Sequence, residues 1–157
     1  MYVVKFSLKP SKKLLCIFAV LAVIVLMVCA ICLMTVHNKT CDTATCDELG
    51  TYTLKAESEN RQCSFLEQFG LTPVTDSVSK KEVIIPEDFN AVYEEYNELQ
   101  KAVGLDLTKY KGKKAEMVTY ELENATAKYA VLLIYNDTVI GAHLTNGEYG
   151  ESNLPLI

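Results

Sequence analysis

Two histidines and six cysteines are the scarce reactive side chains of this 157-residue sequence. Cys63 is the candidate for thiol chemistry and His143 for hydrolytic or metal chemistry. His143 has no Cys, Asp or Glu at ligand spacing, which favours a structural imidazole. Cys63 falls beside Phe65, Leu66 and Phe69 on a short helical face, where a half-buried thiol needs no reaction to explain it. Glu94, Glu95 and Glu98 are close enough to act as paired carboxylates, but no Gly-containing calcium loop accompanies them and they lie off the apolar stripe of their helix. Cys41 and Cys46 form a C-x4-C pair, a weak zinc signal with only His37 nearby. Their short spacing and outer location make them the candidate disulfide, with Cys63 left over. The patterns G-x-S-x-G and H-E-x-x-H are absent. The expectation is a chain without catalytic residues, cofactor or metal.

These residues are placed by one segment. Leu14–Val36 holds 23 residues with no charge, Gly or Pro. As a helix it would span roughly 35 Å, against a hydrocarbon core of about 30 Å. Lys5, Lys9, Lys12 and Lys13 precede it with no acid among them, so residues 1–13 are expected in the cytoplasm and the rest outside. The run exceeds the 7–15 residues of a signal-peptide core, and Val28-Cys29-Ala30 is a poor cleavage site. An uncleaved anchor is therefore expected in the cell membrane, with the lipid bilayer as its first partner. The span lacks ionisable groups other than cysteine, which argues against transport. All 20 acids follow it, against 11 Lys and Arg, a net −9. That balance excludes a nucleic-acid partner.

Residues 37–50 read as a polar stalk and residues 51–157 as one α+β domain. A short strand is expected over Thr51–Ala56 and a helix over 58–69, capped by Ser58 or Asn60 and stopped by Gly70. After the short strand Glu82–Ile85, Pro86 is expected to open a helix over 87–103. Phe89, Val92, Tyr93, Tyr96, Leu99 and Val103 form its stripe, and Gly104 closes it. The cluster Lys109–Lys114 reads as a solvated turn. Lys114–Leu122 alternates as a half-buried strand. Tyr129–Tyr135 is apolar throughout, as for a strand covered on both faces. Asn136-Asp137 offers a two-residue turn into Thr138–Thr145. The predicted fold is an antiparallel three-stranded meander packed on one or two helices.

That turn places Ile134 opposite Val139 and Ala130 opposite His143. The face bearing Leu132, Ile134, Val139 and His143 is then either a second core layer or an open apolar surface, and it is the candidate partner site.

The motifs Phe65-Leu66-x-x-Phe69-Gly70, Glu82-Val83-x-Ile85-Pro86-x-x-Phe89, Tyr96-Asn97-x-x-Gln100-Lys101 and Asp106-Leu107-x-x-Tyr110-Lys111-Gly112-Lys113 occur in this order. Thr119-Tyr120-Glu121 and Leu133-x-Tyr135-x-x-x-Val139-Ile140-Gly141 follow. Over Thr51–Leu144 the chain resembles a bacterial membrane-anchored family catalogued as domain of unknown function 4830. The resemblance implies a Gram-positive, clostridial-type surface protein with one anchor and one small outer domain, and it brings no established activity. Leu71 stands where the family has Trp. Ala142 and His143 stand where it has Gly and an acid, and Gly147–Ile157 replaces its Gly- and aromatic-rich end. Two classes of function follow: a non-catalytic binding module with an envelope protein partner, or a small surface enzyme using Cys63 or His143.

Overall fold

The structure, a computed structural model, describes residues 12–37 and 41–157 apart from 124 and 149. The chain divides into two units, residues 1–39 and 40–157. In the first, helix α1 runs Lys12–His37. Its described side chains, Phe18 and Val20–Ile31, are apolar and exposed. Among the residues described with their side chains, no helix is long and apolar enough to cross a membrane. The basic tail expected over 1–13 lies almost wholly outside the described residues.

The second unit is a small mixed α/β domain with antiparallel sheets. The expected meander is present as β5 (Lys114–Glu123), β6 (Tyr129–Tyr135) and β7 (Thr138–Thr145). Two further strands, β3 (Thr72–Pro73) and β4 (Ser79–Ile84), follow one another along the outer edge of β5 and bring the sheet to five. Asn136 and Asp137 both have positive φ, +47° and +60°, the backbone of a two-residue hairpin turn whose twist matches its strands.

The register of that hairpin differs from the simple expectation. Ile134 faces Val139 as the turn dictates, but Leu133 then faces Gly141 and Val131 faces His143. Ile140 is the inserted residue of a β-bulge, and beyond it every side chain of β7 changes face. Leu132, Ile134 and Val139 are buried on one side of the sheet, whereas His143 meets Tyr96 on the other. The four residues therefore share no face, and the candidate partner site is not an exposed patch. The core-layer alternative is the correct one for the three apolar residues.

Each face carries its own core. Helix α2 (Glu59–Glu67) closes the first. The Ser58 hydroxyl caps it by accepting from the Arg61 amide, and Gly70 (φ +72°) turns the chain beyond its end. Phe65 and Leu66 are fully buried there, each worth about 1.5–3 kcal/mol. Helix α3 (Ala91–Ala102) and a 3-10 turn, Leu107–Tyr110, lie over the second face with Leu133, Ile140 and Ile85.

Pro86 does not begin α3. The Asn90 side chain is the cap, accepting from the Tyr93 amide at 2.9 Å. Residue 85 is still tied to the sheet edge, its amide donating to the Lys113 carbonyl and its carbonyl accepting from Gly112. The apolar stripe is also rotated. Asn97 and Gln100 are buried, while Val92 is 74 % exposed and Leu99 half-buried. The two polar residues point inward because they complete backbone groups. Asn97 Oδ1 accepts from the Leu107 amide at 2.8 Å, and its Nδ2 donates to Asp106 Oδ1 at 3.1 Å.

The expected stalk over 37–50 is largely a hairpin of β1 (Thr43–Cys46) and β2 (Gly50–Thr53). It docks through buried Cys46 and Tyr52, whose hydroxyl donates to the Val103 carbonyl. A Cβ on Gly104 (φ +79°) would collide with the Thr45 carbonyl, so glycine is required at this close approach.

The free edge of β7 is covered by three separate segments. The Val139 amide donates to the Leu54 carbonyl, the Ala142 amide to Gln100 Oε1, and Leu144 exchanges both backbone bonds with Leu154. The edge of β4 pairs with no strand among the described residues and displays Lys80, Lys81 and Glu82.

Candidate functional site

Cys63, on the buried side of α2, is 8 % exposed. Burial pushes its thiol up, and the Glu67 carboxylate adds to the effect. A nucleophilic cysteine needs the opposite shift, so this one is inert. Next to it the Tyr120 hydroxyl donates to Gln62 Oε1 at 2.7 Å, a buried polar pair that fixes α2 on the sheet.

His143 is carried to the α3 side by the bulge. Its Nδ1 lies 2.9 Å from the Tyr96 hydroxyl, and the two rings meet edge-on with centroids 5.3 Å apart. Burial lowers the imidazole to about 4 and raises the Tyr96 phenol. The pair is neutral at pH 7, with a phenol rather than a carboxylate orienting the ring. It lacks the carboxylate–imidazole–nucleophile order of a hydrolytic site.

Cys41 and Cys46 are both free. Cys46 ends strand β1 and Cys41 stands two residues before its start, so the extended strand separates them rather than folding one back on the other. The expected bridge is thus not formed. Among the described residues no three His, Cys, Asp or Glu are grouped to hold a metal ion. Glu94, Glu95 and Glu98 are exposed on α3, and Glu98 pairs with Lys101 at 2.8 Å. In the basic turn, Lys111 lies over the Phe89 ring at 4.5 Å and Lys114 pairs with Glu82 at 2.8 Å.

The concave feature is a groove of about 530 Å³ along the outer side of α3. Val92, Tyr96, Leu99 and Ala102 make its apolar floor with Glu95 set between Val92 and Leu99, Glu98 lies at one rim, and Glu151, Ser152 and Asn153 line the other side. The wall is positioned by Asn146, whose Nδ2 donates to Glu151 Oε1 at 3.0 Å, and by the Leu144–Leu154 pairing just beyond. Reading all apolar positions of α3 as inward-facing hides this groove. The signal for it is the pair Asn97 and Gln100, which takes the inward positions and turns Val92 and Leu99 out.

A second recess, about 500 Å³, is lined by Leu71, Ala125 and Leu144 and by the chain's own Leu154–Ile157. Leu156 reaches the first core from it at 4 % exposure.

A family model described as a domain of unknown function, DUF4830, matches residues 65–144. No curated protein and no solved structure matches the chain. The matched segment takes in the end of α2 from Phe65, all of α3 and the five-stranded sheet up to Leu144, and ends before the wall formed by residues 151–153.

Proposed function

The chain belongs to the DUF4830 family of domains of unknown function, and from that premise we propose a single-pass, membrane-anchored protein whose outer unit is a non-catalytic binding module. Residues 14–36 are the anchor, with the N-terminus cytoplasmic and residues 40–157 outside. The uncharged run within α1 and the four lysines before it support this orientation. The binding reading is carried by the α3 groove, where a small domain leaves Val92 and Ala102 exposed and Leu99 half-buried in one concave strip. Its occupant is an envelope protein or peptide. The enzyme alternative has little to support it, since the Cys63 thiol is raised and buried and His143 is neutral against Tyr96.

The test uses the full-length chain in its own cells with a photo-crosslinking side chain at position 102. A partner should be captured, and Val92→Asp should abolish the capture. Capture that is indifferent to Val92→Asp would refute the groove as the docking site. Protease added to wall-less cells should strip residues 40–157, and their protection would refute the orientation.

A further inference from the structure

The chemistry of the groove selects among binding partners, and this step rests on the binding-module reading above. Three carboxylates line it, Glu95, Glu98 and Glu151, and among the described residues no Lys, Arg or His does. Lys101 neutralises Glu98 from the side at 2.8 Å. Among the described residues the Glu151 carboxylate receives a neutral amide, from Asn146. Between Glu98 and Glu151 the floor is apolar except at Glu95. Val92, Leu99 and Ala102 stand at i, i+7 and i+10 along α3 with Glu95 at i+3 among them, a strip about 15 Å long that carries one carboxylate within it. That is the length of three helical turns. We propose that the groove takes a cationic amphipathic helix, its apolar stripe laid on the floor and its Lys or Arg side chains against the two rims.

Charge and shape each exclude simpler occupants. A polyanion or an anionic lipid surface is repelled by the rims and by the net −9 of the outer chain. A bare polycation would satisfy the rims and leave the floor in water. A neutral amphipathic helix would bury the floor and desolvate the rim carboxylates without pairing them, which is costly. Cationic amphipathic helices bind anionic membrane surfaces by the same two terms, apolar burial and charge. A module anchored at that surface therefore competes with the membrane for them. One wall belongs to residues 151–153, outside the family-matched segment.

The chain has no tryptophan, so a peptide carrying a single Trp reports its own environment. Full-length protein in zwitterionic lipid nanodiscs, with empty discs as control, is titrated with a 14-residue Leu/Lys helix, its Leu/Gln and Leu/Glu counterparts, and oligolysine. The Leu/Lys helix should bind at least tenfold tighter than any other. Glu95→Lys with Glu151→Lys should weaken it at least tenfold and reverse the preference toward Leu/Glu. Val92→Asp should weaken it similarly, with the thermal midpoint of both variants unchanged. Oligolysine binding as tightly as the Leu/Lys helix, or charge reversal without effect, would overturn the proposal. Tightest binding of the Leu/Gln helix, lost in Val92→Asp, would overturn the partner class alone and leave the binding-module reading standing. If no peptide binds and the cellular cross-link is indifferent to Val92→Asp, both fail.

Discussion

Gln100 Oε1 lies 2.6 Å from the amide nitrogen of Ala142, and this bond locks helix α3 to the bulge of β7. The bulge leaves the Ala142 amide facing away from β6, and the fully buried glutamine supplies the acceptor. Its Nε2 is buried without a partner, so the site already carries one uncompensated group. Gly141 sits beneath, where a Cβ would lie 3.3 Å from Gln100 Oε1 and 3.1 Å from a Leu107 methyl.

Gln100→Leu should therefore destabilise the domain by about 1–3 kcal/mol, the cost of an unpaired buried amide. Urea denaturation of the wild type and the variant measures it. A variant as stable as wild type would mean that losing the unpaired Nε2 offsets the unpaired Ala142 amide, or that this amide finds another partner.

The neutral His143 makes stability depend on pH. The unfolded imidazole takes a proton near 6.5 and the folded one only near 4. The unfolded state thus binds more protons between these values. Stability contributed by the neutral ring is complete above pH 6.5 and is lost as pH falls toward 4, by up to about 3 kcal/mol. His143→Phe should flatten this window in a melting series. An unchanged slope between pH 6.5 and 4 would assign it to other groups.

Two valines separate core from surface. Val139 is fully buried and Val92 is 74 % exposed. Val139→Lys places an unpaired charge in the core and should cost about 3–5 kcal/mol, enough to unfold a small domain. Val92→Lys should leave melting within about 0.5 kcal/mol of wild type. Similar losses for both would contradict the assigned faces of β7 and α3.

Thiol alkylation followed by peptide mapping tests the cysteines one by one. Cys41 is exposed and should react with iodoacetamide in the native protein without reduction. Cys46 and Cys63 are buried and should react only after denaturation. Protection of Cys41 that is relieved by a reductant would restore the disulfide.

Much of the sheet is legible in the residues. The seven apolar residues 129–135, the Asn136-Asp137 turn and the return over 138–145 form the strands expected of them. The Ser58 cap and Gly70 fix α2 by local rules. What escapes is what depends on distant partners. Within Thr138–Thr145 Gly141 alone hints at a bulge, and it does not say that Ile140 is the inserted residue, because the bulge is completed by Gln100 from another element. The inward face of α3 is set by the backbone groups of Leu107 and Ala142, which periodicity cannot see. The β1 strand hides in a polar run because only Cys46 of its four side chains is buried, and its docking rests on Gly104. The groove is a consequence of these same choices, since burying Asn97 and Gln100 turns Val92 outward.

The covering of β7 by Leu54, Gln100 and Leu154 has a consequence for crowding. A sheet with two free rims can add copies at both and grow without limit, as fibres do. In the five-stranded sheet one rim is occupied, and among the described residues the other rim, formed by β3 and β4, pairs with no further strand. If two copies join rim to rim, they must use that same rim in each, an isologous contact that closes on itself. Light scattering at rising concentration should stop at the dimer, and continued growth would show that the β7 covering opens. Lys80, Lys81 and Glu82 sit on that remaining rim, with Lys80 paired to Glu59 at 2.9 Å, so added salt should change the strength of any such pairing.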